Sequence, residues 1–216
     1  MSPTGRPTDV RRAGTAALLT TFATLAEVVA FRTAVVEAAL PGVTETVSGA
    51  RSLLVRFDPA RTDEARLRGG LDAVPVRPET ELAGGDAVEP VLVPVTYDGA
   101  DLDDVTALTG MTRAALVDWH TRQVWTSAFC GFAPGFSYLT GTAPSLDLPR
   151  RDTARTAVPS GAVALAGEFS AVYPRTSPGG WQLIGRTDVP MWSLERTPPA
   201  LAPAGTLVRF VVAGAA

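Results

Sequence analysis

Prolines and glycines are concentrated between residues 120 and 187, and they limit what this part of the chain can fold into. The stretch holds six prolines and eight glycines, together with many aromatic residues and arginines. Proline fixes φ and removes a hydrogen-bond donor, while glycine supplies positive φ. This composition disfavours long helices and is typical of short strands joined by tight turns. We expect any functional site of the protein to lie here.

The second half of the chain contains several short apolar segments separated by turn residues. From Val124 onward these segments are VWTSAF, AVALAG, QLIGRT and TLVRFVV. Short strands at such spacing predict a barrel or a sandwich. Upstream, residues 91–97 predict another strand, and two short helices are expected near residues 101–108 and 113–122.

The first half has the pattern of an α/β domain. Thr24 and Glu27 have the spacing of a capping box, which begins a helix, and Pro41–Gly42 ends it. The predicted elements are a strand over 15–22, this helix, strands over 43–48 and 52–57, and a helix from Asp63 to about Ala73. Their order is most of a ferredoxin-like unit. Residues 1–9 are expected to form a tail, and residues 75–90 a linker.

Charge disfavours nucleic acid as a partner. The chain has 19 basic and 22 acidic side chains, a net charge of −3, whereas nucleic-acid binding needs a strongly basic surface. The two predicted helices near residues 101–122 resemble a helix-turn-helix, but the surrounding aspartates would repel phosphates. All basic residues are arginines, and residues 120–216 carry eight of them against five acids. An anion is therefore expected to meet the second half.

The rare residue types exclude further classes of site. One cysteine and one histidine exclude an internal disulfide and any multi-histidine or cysteine-rich metal centre. The chain has no run of 18 or more apolar residues, so no membrane span is expected. The N-terminal residues show no apolar signal segment, so we expect a cytoplasmic protein.

His120 is the first candidate for chemistry. It follows Leu116 and Val117 by four and three residues, so it shares a helix face with apolar neighbours. It also lies near the helix C-terminus, where the dipole favours the charged form. A lone histidine can act as a general base or bind an anion. A capping or core histidine is the simpler interpretation, and spacing alone favours it.

The cysteine and a nearby serine are weaker candidates. Cys130 lies in an apolar stretch, where a buried, inert thiol is the commoner outcome. Ser137 does not match the G-x-S-x-G pattern of serine hydrolases.

Arginines and a glycine pair are more suggestive. Guanidinium groups match carboxylates and phosphates, although any single loop arginine is more often a solvated charge. Five arginines lie within 37 residues: Arg150, Arg151, Arg155, Arg175 and Arg186. Residues 177–181 (SPGGW) predict a type II turn with Pro178 and Gly179 at its centre. Such a turn can present backbone N–H groups to an anion, but a plain hairpin explains it equally well.

Three ordered blocks within residues 120–187 carry a resemblance to a known family. The blocks are GFAPGFSYL, LPRRDTARTAVPSGAVALAG and VYPRTSPGGWQLIGRT. They closely resemble the family of the 5-oxoprolinase B subunit, also called allophanate hydrolase subunit 1, which includes an inhibitor of a sporulation histidine kinase. The similarity extends over nearly the whole chain.

The resemblance implies an α+β protein with two domains. We expect an N-terminal ferredoxin-like α/β domain over residues 10–88 and a cyclophilin-like β-barrel over residues 89–216. It also implies two 5-oxoprolinase partners: a C-type subunit with a related barrel, and an A-type subunit. No metal is expected in this chain. ATP is expected to serve the complex and to be bound mainly by a partner, because the chain has no P-loop pattern.

The resemblance also implies roles for individual residues. His120 is expected as a proton carrier, Arg155 as a stabiliser of developing charge, and Tyr138 or Tyr173 as an orienting hydroxyl. Residues expected to contact the substrate or an anion are Arg150, Arg186, Gly135, Pro159, Gly179, Gly180 and Trp181. The chain departs from the family pattern at residues 169–171, where Phe-Ser-Ala replaces the usual Gln-Thr-Gly. The missing amide at Phe169 removes a polar group from the expected cleft.

The expected function is that of one component of an ATP-dependent 5-oxoprolinase, a hydrolase that opens 5-oxo-L-proline to L-glutamate. The chain is expected to be inactive without its partners. Two alternatives stay open: a regulatory protein that docks on a histidine kinase, or a carboxyltransferase-type component related to allophanate hydrolase and urea amidolyase. The fold alone cannot separate them.

Overall fold

The structure, a computed structural model, describes residues 5–77 and 89–214. The chain divides into two compact units, residues 1–88 and residues 89–216. Most of the predicted linker, residues 75–90, lies outside the described residues. No helix in the described ranges is long and apolar enough to cross a membrane.

The first unit is a four-stranded antiparallel sheet with two helices. Its strands, in spatial order, run β1-β2-β4-β3. The strands are β1 (Asp9–Arg12), β2 (Ala17–Thr21), β3 (Val43–Gly49) and β4 (Ser52–Phe57), and the helices are α1 (Leu25–Ala38) and α2 (Glu64–Ala73). The predicted order of strand, helix, strand, strand, helix is therefore present. An additional strand, β1, occupies the sheet edge. Sequence analysis predicted a tail over residues 1–9 and no strand at this position.

Local signals set the helix bounds in this unit. Thr24 and Glu27 form the predicted capping box, in which the Thr24 side chain accepts from the Glu27 N–H and Glu27 accepts from the Thr24 N–H. Asp63 caps α2 through the Arg66 N–H at 2.9 Å. The helices pack apolar residues such as Phe31 and Leu67 into one core with the sheet.

The second unit is built around a seven-stranded sheet. Its spatial order is β12-β9-β10-β7-β6-β13-β5, and only the β13–β5 pair is parallel. The sheet strands are β5 (Val91–Val95), β6 (Trp125–Cys130), β7 (Ser137–Gly141), β9 (Ala162–Ala166), β10 (Phe169–Val172), β12 (Gln182–Arg186) and β13 (Leu207–Val212). A bridge between Thr96 and Arg186 joins the two edge strands. The sheet is thus a nearly closed barrel.

The remaining elements of this unit are two helices and a small second sheet. They are α3 (Leu102–Thr109), α4 (Arg113–Arg122), β8 (Arg155–Val158) and β11 (Ser177–Gly179). β11 pairs with β8. The prediction of a type II turn at residues 177–181 is wrong, because Ser177 and Gly179 pair as a strand and Gly179 does not have the positive φ that this turn needs.

The barrel strands separate two apolar clusters. All five residues of β9 are buried. Val163 and Leu165 join one cluster with α3, α4 and β13, while Ala162, Ala164 and Ala166 join another with Tyr173 and Trp181. Alternate residues of a strand point to opposite faces, so β9 and its neighbours form a wall between the clusters. The names ferredoxin-like and cyclophilin-like stay predictions for the two units.

Candidate functional site

Aromatic rings form the centre of the candidate site. Tyr173 and Trp181 are buried, and Phe136 contacts both rings edge-on, at centroid distances of 5.3 and 5.5 Å. Tyr138 contacts Trp181 at 5.6 Å and stacks on Phe129 at 4.2 Å. Tyr138, Tyr173 and Trp181, all predicted to be site residues, therefore lie in one cluster.

A strained turn presents an exposed ring beside this cluster. Phe132 has φ of +64° and its side chain is 59% exposed. Positive φ is unfavourable for a residue with a bulky side chain. The turn is closed by hydrogen bonds from the Gly131 N–H to the Phe136 oxygen at 3.2 Å and from the Phe136 N–H to the Ala133 oxygen at 2.9 Å. Phe132 is held at the surface against its backbone preference.

Gly135 is required in the same turn. Its φ is +82°, and a Cβ there would lie 2.8 Å from the Trp192 Cβ and 3.0 Å from the Met191 oxygen. Only glycine combines this φ with such a close approach. Gly135 thus packs the turn against the loop that carries Trp192, which is partly exposed. Its expected contact with a substrate stays a prediction.

A cleft of about 280 Å³ opens beside Tyr173. It is lined by three segments, residues 160–161, 173–174 and 187–192. Hydrogen bonds join the segments: the Ser160 hydroxyl donates to the Pro174 oxygen at 3.1 Å, and the Thr187 N–H donates to the Gly161 oxygen at 2.9 Å. Pro159 directly precedes this wall and accepts from the Ala162 N–H at 3.3 Å.

The Tyr173 hydroxyl lies against a glycine and near two arginines. A Cβ on Gly179 would lie 2.3 Å from the hydroxyl oxygen. Burial raises the pKa of Tyr173, although the Trp181 N–H and the charges of Arg150 and Arg155 oppose the rise. The Trp181 N–H donates to the hydroxyl. Tyr173 can therefore act as a neutral hydrogen-bond donor.

A buried aspartate, Asp101, organises the arginines, and sequence analysis missed it. The Asp101 carboxylate is 1% exposed and accepts hydrogen bonds from Arg155 Nη2 at 2.7 Å, from Arg151 Nη1 and from the Leu183 N–H at 2.8 Å. Arg155 begins β8, which pairs with Gly179, and the Arg151 N–H donates to the Gly180 oxygen at 2.8 Å. The arginine loop, which carries Arg151 and Arg155, is thereby held next to Gly179 and Gly180.

His120 lies on the opposite face of the barrel wall. It is fully buried, with Nδ1 2.7 Å from the Tyr97 hydroxyl and Nε2 2.9 Å from the Ser170 hydroxyl, and its ring stacks on Phe210. Burial lowers the pKa of His120 to about 3. Desolvation therefore outweighs the preference of the helix C-terminus for the charged form of His120.

The position of His120 agrees with the core interpretation of the sequence. Ser170, its partner, faces the His120 side of β10, while Phe169 and Ala171 face the aromatic cluster. A neutral imidazole with both nitrogens occupied and no exposed surface is poorly suited to carry protons to a substrate. The catalytic role of His120 stays a prediction that this geometry disfavours.

The departure at residues 169–171 has a packing explanation. Phe169 contacts Phe129 and Tyr138 edge-on, at 5.7 and 5.5 Å. An aromatic ring therefore extends the apolar cluster where the family pattern has an amide. Ser170 still supplies a hydroxyl to His120.

Arg186 and Cys130 lie apart from the arginine–tyrosine group. Arg186 is at the seam of the barrel, where its Nε donates to Asp98 at 2.9 Å. Cys130 is partly buried, with its sulfur 3.6 Å from the Ala202 oxygen. Within residues 5–77 and 89–214, no group of three or more His, Cys, Asp or Glu side chains could hold a metal ion.

The structure therefore brings most of the predicted site residues to one side of the barrel wall. The residues gathered around the aromatic cluster and its cleft are Arg150, Arg155, Tyr138, Tyr173, Gly135, Pro159, Gly179, Gly180 and Trp181. His120 and Arg186 are not part of this group. The structure adds Asp101 and Phe132. The only sequence signal for Asp101 was its type, common before a helix, and for Phe132 its place in the GFAPGF block.

Comparisons with known proteins converge on one family. A family model described as carboxyltransferase domain, subdomain C and D, matches residues 8–202. The B subunit of 5-oxoprolinase from Escherichia coli O157:H7 is 36% identical over 179 residues, which cover 80% of this chain and 79% of that protein. The protein of the same name from Bacillus subtilis (strain 168) is 38% identical over 124 residues, 56% of this chain and 52% of that protein.

A third relative and the solved structures also match this chain. The B subunit of 5-oxoprolinase from Haemophilus influenzae is 40% identical over 125 residues, covering 56% of this chain and 59% of that protein. The matches to the Bacillus and Haemophilus proteins thus span little more than half of their length. The crystal structure of TTHA0988 matches with a TM-score of 0.75 and 31% identity, over 96% of this chain and 41% of that chain.

Two further structures share the fold. PH0987 from Pyrococcus horikoshii matches with a TM-score of 0.55 and 29% identity, over 94% of this chain and 97% of that chain. The urea amidolyase of K. lactis matches with a TM-score of 0.65 over 98% of this chain and 15% of that chain. Its identity is 18%, so this likeness concerns the fold alone.

Proposed function

This chain belongs to the family of the carboxyltransferase domain, subdomain C and D, and on that premise we propose that it is the B-type subunit of an ATP-dependent 5-oxoprolinase. The observation that carries the proposal is the 36% identity to the Escherichia coli B subunit over four-fifths of both proteins. The substrate is 5-oxo-L-proline and the product L-glutamate. The partners are the A-type and C-type proteins of the same enzyme, and the complex is cytoplasmic.

The site geometry supports chemistry on an anionic, poorly reactive amide. A lactam is a weak electrophile, so its opening with ATP proceeds through phosphorylation of the lactam oxygen. ADP leaves in this transfer. A first water then adds to the carbon, the ring C–N bond breaks and the nitrogen takes up a proton, which leaves an acyl phosphate. A second water hydrolyses the acyl phosphate to the carboxylate and inorganic phosphate. Negative charge develops on oxygen during these steps, and preorganised donors stabilise it.

Arg155 and Tyr173 are the residues proposed to act on this charge. Arg155 is fixed by Asp101 on one side and lies beside Gly179 on the other. Tyr173, kept neutral by its raised pKa, has a proton to donate. Arg150 is exposed and forms no ion pair among the described residues, so it is free to attract the carboxylate of the substrate.

ATP is proposed to bind mainly to a partner protein of the complex. The chain contains no lysine, so it lacks the phosphate-binding lysine of a P-loop. The chain by itself is therefore expected to be inactive.

The decisive experiment is reconstitution with the partner proteins. The chain is co-expressed with the products of its neighbouring genes, and ATP-dependent formation of glutamate from 5-oxo-L-proline is measured. We expect turnover only when all components are present. Failure to co-purify, or an assembled complex without turnover, would refute the proposal.

Arg155→Ala tests the site within this complex. Loss of one preorganised donor lowers turnover by about a hundredfold. Arg113→Ala is the matched control, because Arg113 also pairs with an aspartate of the α3 region, Asp103, but at the exposed surface. Turnover within twofold of wild type is expected for this control. Equal turnover of the two variants would refute the proposed role of Arg155 in the reaction.

A regulatory binding protein is the second candidate function. It is favoured by the exposed apolar side chains of Phe132, Trp192 and Leu194 on loops of the barrel unit, since exposed apolar groups mark interaction surfaces. In this case the chain would dock on the helix bundle of a histidine kinase and lower its autophosphorylation. A kinase assay with purified chain, beside the oxoprolinase assay, separates the two functions.

A further inference from the structure

Asp101 has the position of a helix cap but performs another task. It directly precedes α3, and its side chain makes no capping hydrogen bond to that helix. By contrast, Thr24, Asp63 and Thr112 all cap their helices through side-chain oxygens. Asp101 uses its carboxylate for Arg151, Arg155 and the Leu183 N–H instead. Asp101 therefore precedes α3 in the position of a cap but binds the arginine loop instead of the helix.

The backbone around Asp101 is fixed to the barrel. The Asp101 N–H donates to the Leu183 oxygen at 2.9 Å, and the Gly99 N–H donates to the Ile184 oxygen at 3.2 Å. A Cβ on Gly99 would lie 2.3 Å from the Leu183 oxygen, so this segment lies directly against β12. The carboxylate therefore has a defined position relative to the barrel wall.

The electrostatics of the cluster keep Asp101 ionised. Burial alone would raise the pKa of Asp101, but the hydrogen bonds from Arg155 and Leu183 and the charges of both arginines outweigh this and hold it below its usual range. Asp104 also lies 3.8 Å from Arg151, at the exposed side. A charged carboxylate is thus available to orient the guanidinium groups at neutral pH.

Each arginine keeps donors that Asp101 does not use. Arg155 gives Nη2 to Asp101 while its Nη1 is buried without a partner, and Arg151 gives Nη1 while its Nε is buried without a partner. A buried donor without an acceptor costs about 1–3 kcal/mol, and such groups in a native structure call for an explanation. Donors held ready for an incoming oxyanion provide one.

We propose that Asp101 is a positioning residue that aligns the Arg155 guanidinium toward the oxygen on which charge develops. The proposal rests on the proposed function. Asp101 does not touch the substrate. It acts through Arg155, whose backbone pairs with Gly179 and whose charge acts on the Tyr173 hydroxyl.

Asp101→Asn in the reconstituted complex is the test. Asparagine keeps an oxygen for the Leu183 N–H but loses the charge and turns an amide toward the arginines. We expect kcat to fall at least tenfold with KM within about threefold, because the aligned donor acts in the transition state. Asp103→Asn is the matched control: it breaks an exposed pair with Arg113 at the same end of α3, and kcat within twofold of wild type is expected.

A double variant separates positioning from a purely structural role. If Asp101 acts through Arg155, then Asp101→Asn combined with Arg155→Ala has the kcat of Arg155→Ala alone, within twofold. Independent losses that multiply would overturn the proposal, and so would a wild-type kcat for Asp101→Asn. All rates are measured at temperatures where circular dichroism shows each variant to be folded.

Two further outcomes are distinguishable. If Asp101→Asn does not fold, Asp101→Glu carries the test, since it keeps the charge but displaces it by one methylene; a lowered kcat is expected and an unchanged kcat would refute the positioning role. If the wild-type complex itself shows no turnover, the proposed function fails and this role fails with it. An active wild type with an unaffected Asp101 variant refutes only the role of Asp101.

Discussion

His120→Phe should remove much of the acid sensitivity of the barrel unit. In the folded protein the pKa of His120 is about 3, whereas an unfolded chain has the ordinary value of about 6.5. Because the unfolded state binds a proton more readily, this stability is fully present above pH 6.5 and is lost as the pH falls toward 3. At pH 5 the loss amounts to about 2 kcal/mol, from roughly 1.4 kcal/mol for each of 1.5 pH units.

The variant has its own cost at neutral pH. Phenylalanine keeps a ring against Phe210, but the hydroxyls of Tyr97 and Ser170 lose their partner. Each unsatisfied buried hydroxyl costs about 1–3 kcal/mol. The variant should therefore be about 2–6 kcal/mol less stable at pH 7. Its further loss of stability between pH 7 and pH 5 should be about 2 kcal/mol smaller than that of the wild type.

Urea denaturation followed by tryptophan fluorescence measures this difference. All four tryptophans lie within residues 89–216, so the signal reports the unit that contains His120. Ser170→Ala is the control, since it removes the hydrogen-bond partner of Nε2 but leaves a buried imidazole, and its pH dependence should resemble the wild type. If His120→Phe loses as much stability as the wild type between pH 7 and pH 5, His120 is not a buried neutral residue and the reasoning fails.

Two further predictions concern the aromatic site. Phe132→Gly should leave the free energy of unfolding within about 1 kcal/mol of wild type, because relief of the positive φ offsets the lost ring contacts. Phe136→Ala, on the same turn but buried, should lower the free energy of unfolding by about 3–5 kcal/mol. Urea denaturation compares the two variants, and equal losses would contradict the strain argument. Gly179→Ala should lower stability by about 1–3 kcal/mol, because its Cβ would lie 2.3 Å from the Tyr173 hydroxyl. Thermal unfolding checks this, and an unchanged melting temperature would show that Tyr173 moves freely.

Helix bounds could be read from the sequence because caps are local. Thr24 and Glu27 are three residues apart, and they satisfy each other's backbone N–H in the structure as their spacing predicts. The two helices near residues 101–122 also occur close to their predicted bounds. Thr24 and Thr112 need no distant residue to begin their helices, whereas α3 begins without a side-chain cap.

Sequence analysis named no strand at β1, β7, β8, β10 or β11, and two of these strands show how remote partners decide a strand. β1 (Asp9–Arg12) contains mostly charged residues and no apolar alternation, yet its backbone pairs with β2. Residues 177–181 have the composition of a turn, but Ser177 pairs with Val158 and Gly179 with Arg155. In both cases main-chain hydrogen bonds to another segment outweigh the local preference.

The candidate site shows the same division. Turn chemistry, arginines and aromatic residues marked residues 120–187, and nine of the eleven predicted site residues lie around one aromatic cluster and its cleft. The sequence did not show that His120 lies outside the candidate site, because its helical neighbours do not reveal which face of the barrel it contacts. Asp101 could not be found, because its arginine partners follow 50 and 54 residues later.

The sequence by itself determined the family, the order of most elements and the turn-rich character of the second half, because these depend on residue types and short spacings. Only the tertiary structure decided which residues lie on each side of β10. Strand alternation separates Ser170 from Phe169 and Ala171. Closure of the barrel placed His120 at one face of β10 and Tyr138 and Tyr173 at the other. The same closure brought Asp101 to the arginines, through contacts between segments that no local pattern connects.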